Sequence, residues 1–77
     1  MITLYETEYC PYCGMVASKL NELGLEYESM MVPGPHQLRT AVMEASGQTF
    51  VPVIKDDDEV ITDTKHIIQY LNDKYAN

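Results

Sequence analysis

Two cysteines stand three positions apart in the segment Cys10-Pro11-Tyr12-Cys13. Two thiols at this spacing can close a disulfide, so the segment favours reversible thiol–disulfide exchange. Pro11 is typical of the first position of a helix, which places Cys10 at the helix start, where unpaired backbone N–H groups stabilise a thiolate. Cys13 lies one turn further along and closer to the packed side. We therefore predict that Cys10 is the nucleophile and that Cys13 is the resolving thiol.

Three other interpretations of the cysteine pair remain open, namely half of a shared zinc site, a plain structural disulfide and a chance pairing. A closed zinc site needs four ligands, and the remaining candidates, His36 and His66, are remote and lack ligand spacing. Two cysteines are too few for a disulfide-rich secreted scaffold. The first residues show neither a basic start nor a long apolar run, so we expect a cytoplasmic protein.

The cysteine pair must be positioned by a small set of alternating elements. We predict a strand over residues 1–6, a helix over 11–23, a strand over 25–32, a helix that opens at Pro35 and ends at Gly47, a strand over 50–54, a short strand at 60–61 and a helix capped by Thr62 or Asp63. Helical crossovers join the early strands and a tight turn joins the late ones. The order βαβαββα therefore predicts a mixed sheet.

Apolar spacing predicts which face of each helix is buried. The inner positions are Val16, Leu20 and Leu23 in the first helix, Leu38, Ala41, Val42 and Ala45 in the second, and Ile67, Ile68, Leu71 and Tyr75 in the third. Four consecutive acids over residues 56–59 lack the spaced ligands of a calcium loop, so we interpret them as a solvated turn.

Length and charge restrict the classes of function. The chain has 77 residues, enough for one domain, and 12 acidic against 5 basic residues give a net charge of −7. Such an excess argues against binding to nucleic acid or to an acidic membrane surface. Its hydrophobic residues, 45% of the chain, are spread too evenly for a transmembrane segment.

Three segments together resemble the glutaredoxins, which are small proteins of the thioredoxin fold. They are Cys10-Pro11-Tyr12-Cys13, Gly47-Gln48-Thr49-Phe50-Val51-Pro52 and Asp63-Thr64. The last of them, with the helix that follows, also resembles the glutathione-binding half of glutathione transferases. The resemblance implies an α/β thioredoxin-like fold with a mixed four-stranded sheet and three helices, forming a single glutaredoxin-like domain over residues 1–77. It implies an oxidoreductase with no tightly bound cofactor, using glutathione or a related γ-glutamyl thiol as co-substrate.

The same resemblance assigns roles to six further residues. It implies a cis Val51-Pro52 bond, with the Val51 backbone offered to an extended thiol peptide. Asp63 would hold the ammonium of a γ-glutamyl group and the helix start at Thr64 its carboxylate, unless Asp63 is an ordinary N-cap. Arg39 would clamp a second carboxylate, unless it is a solvated helix residue. Tyr12 would cover the thiols.

The same resemblance implies the partners of the protein, and two alternative functions stay open. We expect a monomer that acts on disulfide-containing client proteins, with a flavoprotein disulfide reductase as a further partner left open. One alternative is a redoxin reduced directly by thioredoxin reductase, and the other is an iron–sulfur or metal carrier using Cys10. The chain also departs from the family pattern, because Thr7 and Gln48 stand where glutaredoxins commonly carry Lys and Arg.

Overall fold

The computed structural model describes residues 1–8 and 10–76, and the side chain of His36, one of the two histidines weighed as zinc ligands, lies outside the described part. Its elements are β1 (Ile2–Glu6), α1 (Pro11–Glu22), β2 (Tyr27–Met31), α2 (Thr40–Ser46), β3 (Val53–Asp56), β4 (Glu59–Thr62) and α3 (Thr64–Tyr75), with a 3₁₀ turn before α2. The predicted order βαβαββα is confirmed.

The four strands form one mixed sheet in the order β2-β1-β3-β4. β1 runs parallel to β2 and antiparallel to β3, and β3 forms an antiparallel hairpin with β4. The predicted fold class, a thioredoxin-like mixed sheet with three helices, is therefore confirmed. No helix in the described residues is both long and apolar enough to cross a membrane.

The sheet carries a buried cluster on each face because successive strand residues point to opposite sides. On one face Leu4 and Ile54 pack against α1 and α3, which contribute the fully buried side chains of Val16, Leu20, Ile67 and Leu71 to this cluster. On the other face Tyr5 and Val53 pack with Val42 of α2. Burial of these four positions confirms the predicted inner faces of α1 and α3 in part. Of the other predicted positions, Leu23 and Tyr75 are partly buried against this cluster, and Ile68 is half-buried and stands outside it.

The predicted start of the second helix at Pro35 is wrong. α2 begins only at Thr40, after a 3₁₀ turn over His36–Leu38, and Leu38 is 57% exposed instead of buried. The cause is Arg39, which donates from Nε to the carbonyl of Pro33, from Nη2 to that of Gly34 and from Nη1 to that of Thr49, at 2.8, 2.6 and 2.8 Å. These bonds hold the preceding chain outside a helix.

The interpretation of residues 56–59 as a solvated turn is wrong for Asp56. This residue ends β3 and is only 4% exposed, whereas Asp57 and Asp58 form the exposed turn. Its Oδ2 accepts hydrogen bonds from the hydroxyls of Tyr70 and Tyr75, at 2.7 and 2.6 Å, and from Lys74 Nζ at 3.1 Å. A buried carboxylate is tolerated here because α3 supplies three donors.

Candidate active site

Cys10 and Cys13 are joined by a disulfide, with their Cα atoms 5.2 Å apart. Cys10 is the extended N-cap residue of α1, and Pro11 is the first helical residue, as the sequence predicts. The backbone N–H of Cys13 donates to Cys10 Sγ across 3.1 Å. Cys13 is 1% exposed, whereas Cys10 is only partly buried. The sulfur within reach of an incoming thiolate is therefore that of Cys10.

A pocket of about 850 Å³ lies beside this helix start. Among the described residues, the lining includes Tyr12 of the cysteine motif but neither cysteine. The lining residues are Tyr12, Met15, Gln48, Phe50, Val51, Pro52, Thr62, Asp63, Thr64, Lys65 and Ile68. The structure thus brings together five residues singled out from the sequence: Tyr12, Val51, Pro52, Asp63 and Thr64.

Val51 and Pro52 form one wall of the pocket. Their peptide bond is cis, as predicted. Val51 is half-buried and Pro52 is buried. The strand predicted over residues 50–54 begins only at Val53, because a proline cannot donate to the ladder and Phe50 lies 66% exposed ahead of it.

Asp63 and Thr64 form the wall where α3 begins. Asp63 is the N-cap residue, but its side chain makes no capping hydrogen bond. Its φ of +71° lies in the left-handed region, which a residue with a side chain rarely adopts. The carboxylate instead lies 3.6 Å from Nδ1 of His66. Asp63 is therefore placed differently from an ordinary side-chain N-cap.

The structure does not bring Arg39 to the pocket. Arg39 is 8% exposed, and its guanidinium is engaged by the three backbone carbonyls described above. It is neither part of the pocket lining nor the solvated helix residue of the alternative interpretation. Its position links the loop before α2 to Thr49, ten residues further along the chain.

Several lining residues were not predicted as site residues. Among the described residues of the lining, Lys65 is the one cation. Met15, Phe50 and Ile68 are large apolar residues of the lining that were not predicted to belong to the site. Their positions carry a signal that could have identified them. Met15 follows Tyr12 by three residues on one helix face, Phe50 directly precedes Val51, and Ile68 lies one turn beyond Thr64.

Comparison with known proteins gives two groups of relatives. Residues 4–77 match the family model described as glutathione S-transferase, N-terminal domain. The chain is 27% identical over 66 residues to glutaredoxin 3 of Escherichia coli (strain K12), covering 86% of this chain and 72% of that protein. It is 30% identical over 53 residues to a glutaredoxin of Pseudomonas aeruginosa, covering 69% and 63%.

Among solved structures, glutathione transferase E6 from Drosophila melanogaster is 35% identical with a TM-score of 0.86. The match covers 97% of this chain but only 35% of the transferase, so the chain spans about a third of that protein. These findings confirm the resemblance to glutaredoxins and to the N-terminal half of glutathione transferases.

Proposed function

Because this chain belongs to the family of glutathione S-transferase N-terminal domains, we propose that it is a thiol–disulfide oxidoreductase that uses glutathione or a related γ-glutamyl thiol to reduce mixed and protein disulfides. The observation that carries the proposal is the Cys10–Cys13 disulfide at the start of α1. It lies beside the pocket that Tyr12 helps to line. The glutaredoxin names of its relatives support the same reaction.

Reduction of a client disulfide proceeds by two exchanges. The thiolate of Cys10 attacks one client sulfur, the client S–S bond breaks, and the second client sulfur leaves as a thiolate that takes a proton. The thiolate of Cys13 then attacks Cys10 Sγ, which forms the Cys10–Cys13 disulfide and releases the first client sulfur. The client gains two electrons, and the cysteine pair loses two.

Two molecules of the γ-glutamyl thiol restore the dithiol. The first attacks Cys10 Sγ, forms a mixed disulfide there and releases Cys13 as a thiolate. The second attacks the sulfur of the bound thiol, so the disulfide of the small thiol leaves and Cys10 is again a thiolate. The helix start and the N–H of Cys13 favour the negative charge that Cys10 carries when it attacks a client sulfur and when it leaves the bound small thiol.

The pocket supplies the groups that a γ-glutamyl thiol needs. Asp63 offers a carboxylate to the α-ammonium, and the N–H groups at the start of α3, at Thr64, can bind the α-carboxylate. Lys65 can pair with the second carboxylate of glutathione. The backbone of Val51 can pair with the extended thiol, and Tyr12 covers it.

The remaining properties proposed here follow from this reaction. No tightly bound cofactor takes part, since electrons come from the small thiol, itself recycled by a flavoprotein disulfide reductase. Residues 1–77 would act as a single monomeric domain on disulfide-containing clients in the cytoplasm, where glutathione keeps thiols reduced.

A coupled assay tests this proposal. Purified protein is mixed with glutathione, glutathione reductase, NADPH and hydroxyethyl disulfide, and NADPH oxidation is followed. We expect turnover that depends on the protein and on glutathione and that disappears in Cys10→Ser. Ser18→Ala, an exposed change on the same helix, serves as the control. Equal rates with and without the protein would contradict the proposal.

A second candidate, transfer of glutathione to an electrophile, is favoured by the family match itself. In that case the glutathione thiolate, and not Cys10, would attack the electrophile. The conjugation of 1-chloro-2,4-dinitrobenzene measures it directly. A rate that survives in Cys10→Ser would support the second candidate over the first.

A further inference from the structure

One side of the pocket is apolar and open to solvent. Tyr12, Met15 and Phe50 are 62%, 51% and 66% exposed, and they line the pocket together with the half-buried Ile68. We call these four residues the apolar wall. Large apolar side chains gathered around one exposed pocket are typical of a binding surface.

The polar part of the same lining is electrically balanced. Asp63 and Lys65 contribute one charge of each sign, and Gln48, Thr62 and Thr64 are neutral. The γ-glutamyl thiol proposed above uses this polar part and has no bulky apolar group for the apolar wall. Glutathione therefore uses Tyr12 of the apolar wall but leaves Met15, Phe50 and Ile68 without an assigned role.

We propose that the apolar wall binds a bulky aliphatic or aromatic side chain next to the reacting cysteine of a client protein, in an extended segment of its chain. The inference rests on the proposed function and names the substrate class of the same site. It makes disulfides with apolar neighbours better substrates than disulfides with small polar neighbours.

Two observations identify a client segment as the occupant. First, the apolar wall is continuous with the groups that handle the disulfide, because Tyr12 lies between the two cysteines and Phe50 directly precedes Val51. Second, the charge of the protein fits such a segment. The charges of the pocket lining cancel and the whole chain carries −7, which disfavours an acidic segment and suits a neutral or basic one.

Phe50 is the residue on which the preference depends most. Aromatic side chains dominate binding energies because they bury a large area at a small conformational cost. Phe50 is the most exposed member of the apolar wall. It directly precedes Val51, whose backbone the proposed function offers to an extended thiol and which an extended client segment can use in the same way. A side chain beside the client cysteine would reach Phe50 from that position.

Two peptides of equal length and charge test the proposal. Each is closed by one internal disulfide, with Leu next to both cysteines in one and Ser in the other. The rate at which the reduced protein opens each ring is measured, and the ratio of the two rates is compared between variants. We expect a ratio of about 10 for the native protein, within the range that apolar pockets achieve, falling to about 2 in Phe50→Thr.

Leu38→Thr is the matched control. Leu38 is 57% exposed and lies outside the apolar wall, so its replacement should leave the ratio at about 10. Because each ratio compares two substrates on one preparation, it does not depend on the folded fraction of a variant.

The remaining outcomes separate this inference from the proposed function. Native protein that opens both rings at equal rates, or an unchanged ratio in Phe50→Thr, would overturn the inference and leave the oxidoreductase intact. A native protein that opens neither ring and does not reduce hydroxyethyl disulfide would overturn both the inference and the proposed function. Sedimentation of the native protein as a dimer that Phe50→Thr dissociates, with no peptide preference, would assign the apolar wall to a second copy. Dinitrobenzene conjugation lost in Phe50→Thr, with no peptide preference, would assign it to an electrophile.

Discussion

The backbone N–H of Cys13 points at the sulfur of Cys10 and lies 3.1 Å from it. Within the first turn of α1, Cys13 is therefore linked to Cys10 twice: by the disulfide and by a hydrogen bond that its backbone N–H donates. The arrangement is unequal, because Cys13 is 1% exposed and Cys10 lies at the surface side of the helix start. This inequality is the basis of the proposed division of roles between the two cysteines.

The first prediction concerns that division. Cys10→Ser should lower every thiol exchange by at least about 1,000-fold, since it removes the attacking group. Cys13→Ser should retain reduction of glutathione mixed disulfides within about tenfold and should accumulate a mixed disulfide on Cys10. Peptide mapping of the trapped adduct checks the assignment. Comparable activity in the two single variants would contradict it.

The second prediction concerns charge near Cys10. Thr7 follows β1 and is flanked by Glu6 and Glu8, so a lysine there would add a cation between two acids. A unit charge roughly 8 Å away in water contributes about 0.5 kcal/mol, or about twofold in thiolate fraction. Thr7→Lys in a Cys13→Ser background should therefore react about twice as fast with iodoacetamide at neutral pH and low salt.

High salt should raise the rate of the parent and shrink the difference from Thr7→Lys, because it screens exposed charges. Asp58→Asn is the matched control. It changes the net charge equally, but at the β3–β4 turn, beside the other end of β1. An equal acceleration in Asp58→Asn would show that net charge, and not position, governs the rate.

Sequence patterns predicted α1 well because its signals are local. Pro11 opens the helix, and Gly24, with φ of +68°, follows its last turn as a residue without a side chain can. α2 could not be placed in the same way. The bonds that exclude a helix before Thr40 include one from Arg39 to Thr49, a contact that exists only after the chain folds. Apolar spacing alone therefore predicts a helix that begins too early, at Pro35.

The third prediction concerns Asp63. Asp63→Asn should raise the KM for glutathione about fivefold while kcat changes little, because a charge-assisted contact made in bound and reacting states alike is lost. The expected size is modest, since the carboxylate is 63% exposed. Steady-state kinetics at saturating disulfide give both constants. The same loss in Asp58→Asn, outside the pocket, would contradict a binding role for Asp63.

The fourth prediction concerns the buried carboxylate of Asp56. Burial pushes its pKa up, but hydrogen bonds from Tyr75 and Tyr70 and the ion pair with Lys74 outweigh this, and the pKa lies below its ordinary value of 3.8. A lowered pKa stabilises the fold above 3.8, and this contribution is lost as the pH falls through the lowered value.

Asp56→Asn should therefore lower the free energy of unfolding by about 2 kcal/mol at pH 7, with a smaller deficit in acid. Urea unfolding at several pH values measures this difference. Asp58→Asn should stay within about 0.5 kcal/mol of the native protein. A deficit in Asp56→Asn that is equal at pH 7 and pH 3 would contradict the assignment.

The burial of Asp56 also shows where sequence patterns fail. Four consecutive acids are typical of a solvated turn, and two of them do form one. The donors that allow Asp56 to be buried lie 14 to 19 residues away on α3. Their convergence depends on how α3 packs along the sheet, which no local pattern encodes.

Release of thiol from oxidised glutathione measures the proposed exchange itself. The fully reduced protein is mixed with oxidised glutathione, and both the reduced glutathione released and the mass of the protein are measured. We expect two molecules of reduced glutathione per chain and a protein that carries the Cys10–Cys13 disulfide without an adduct. Cys10→Ser should release none. A reduced protein that leaves oxidised glutathione unchanged, or that exchanges equally well without Cys10, would rule out thiol–disulfide exchange through Cys10.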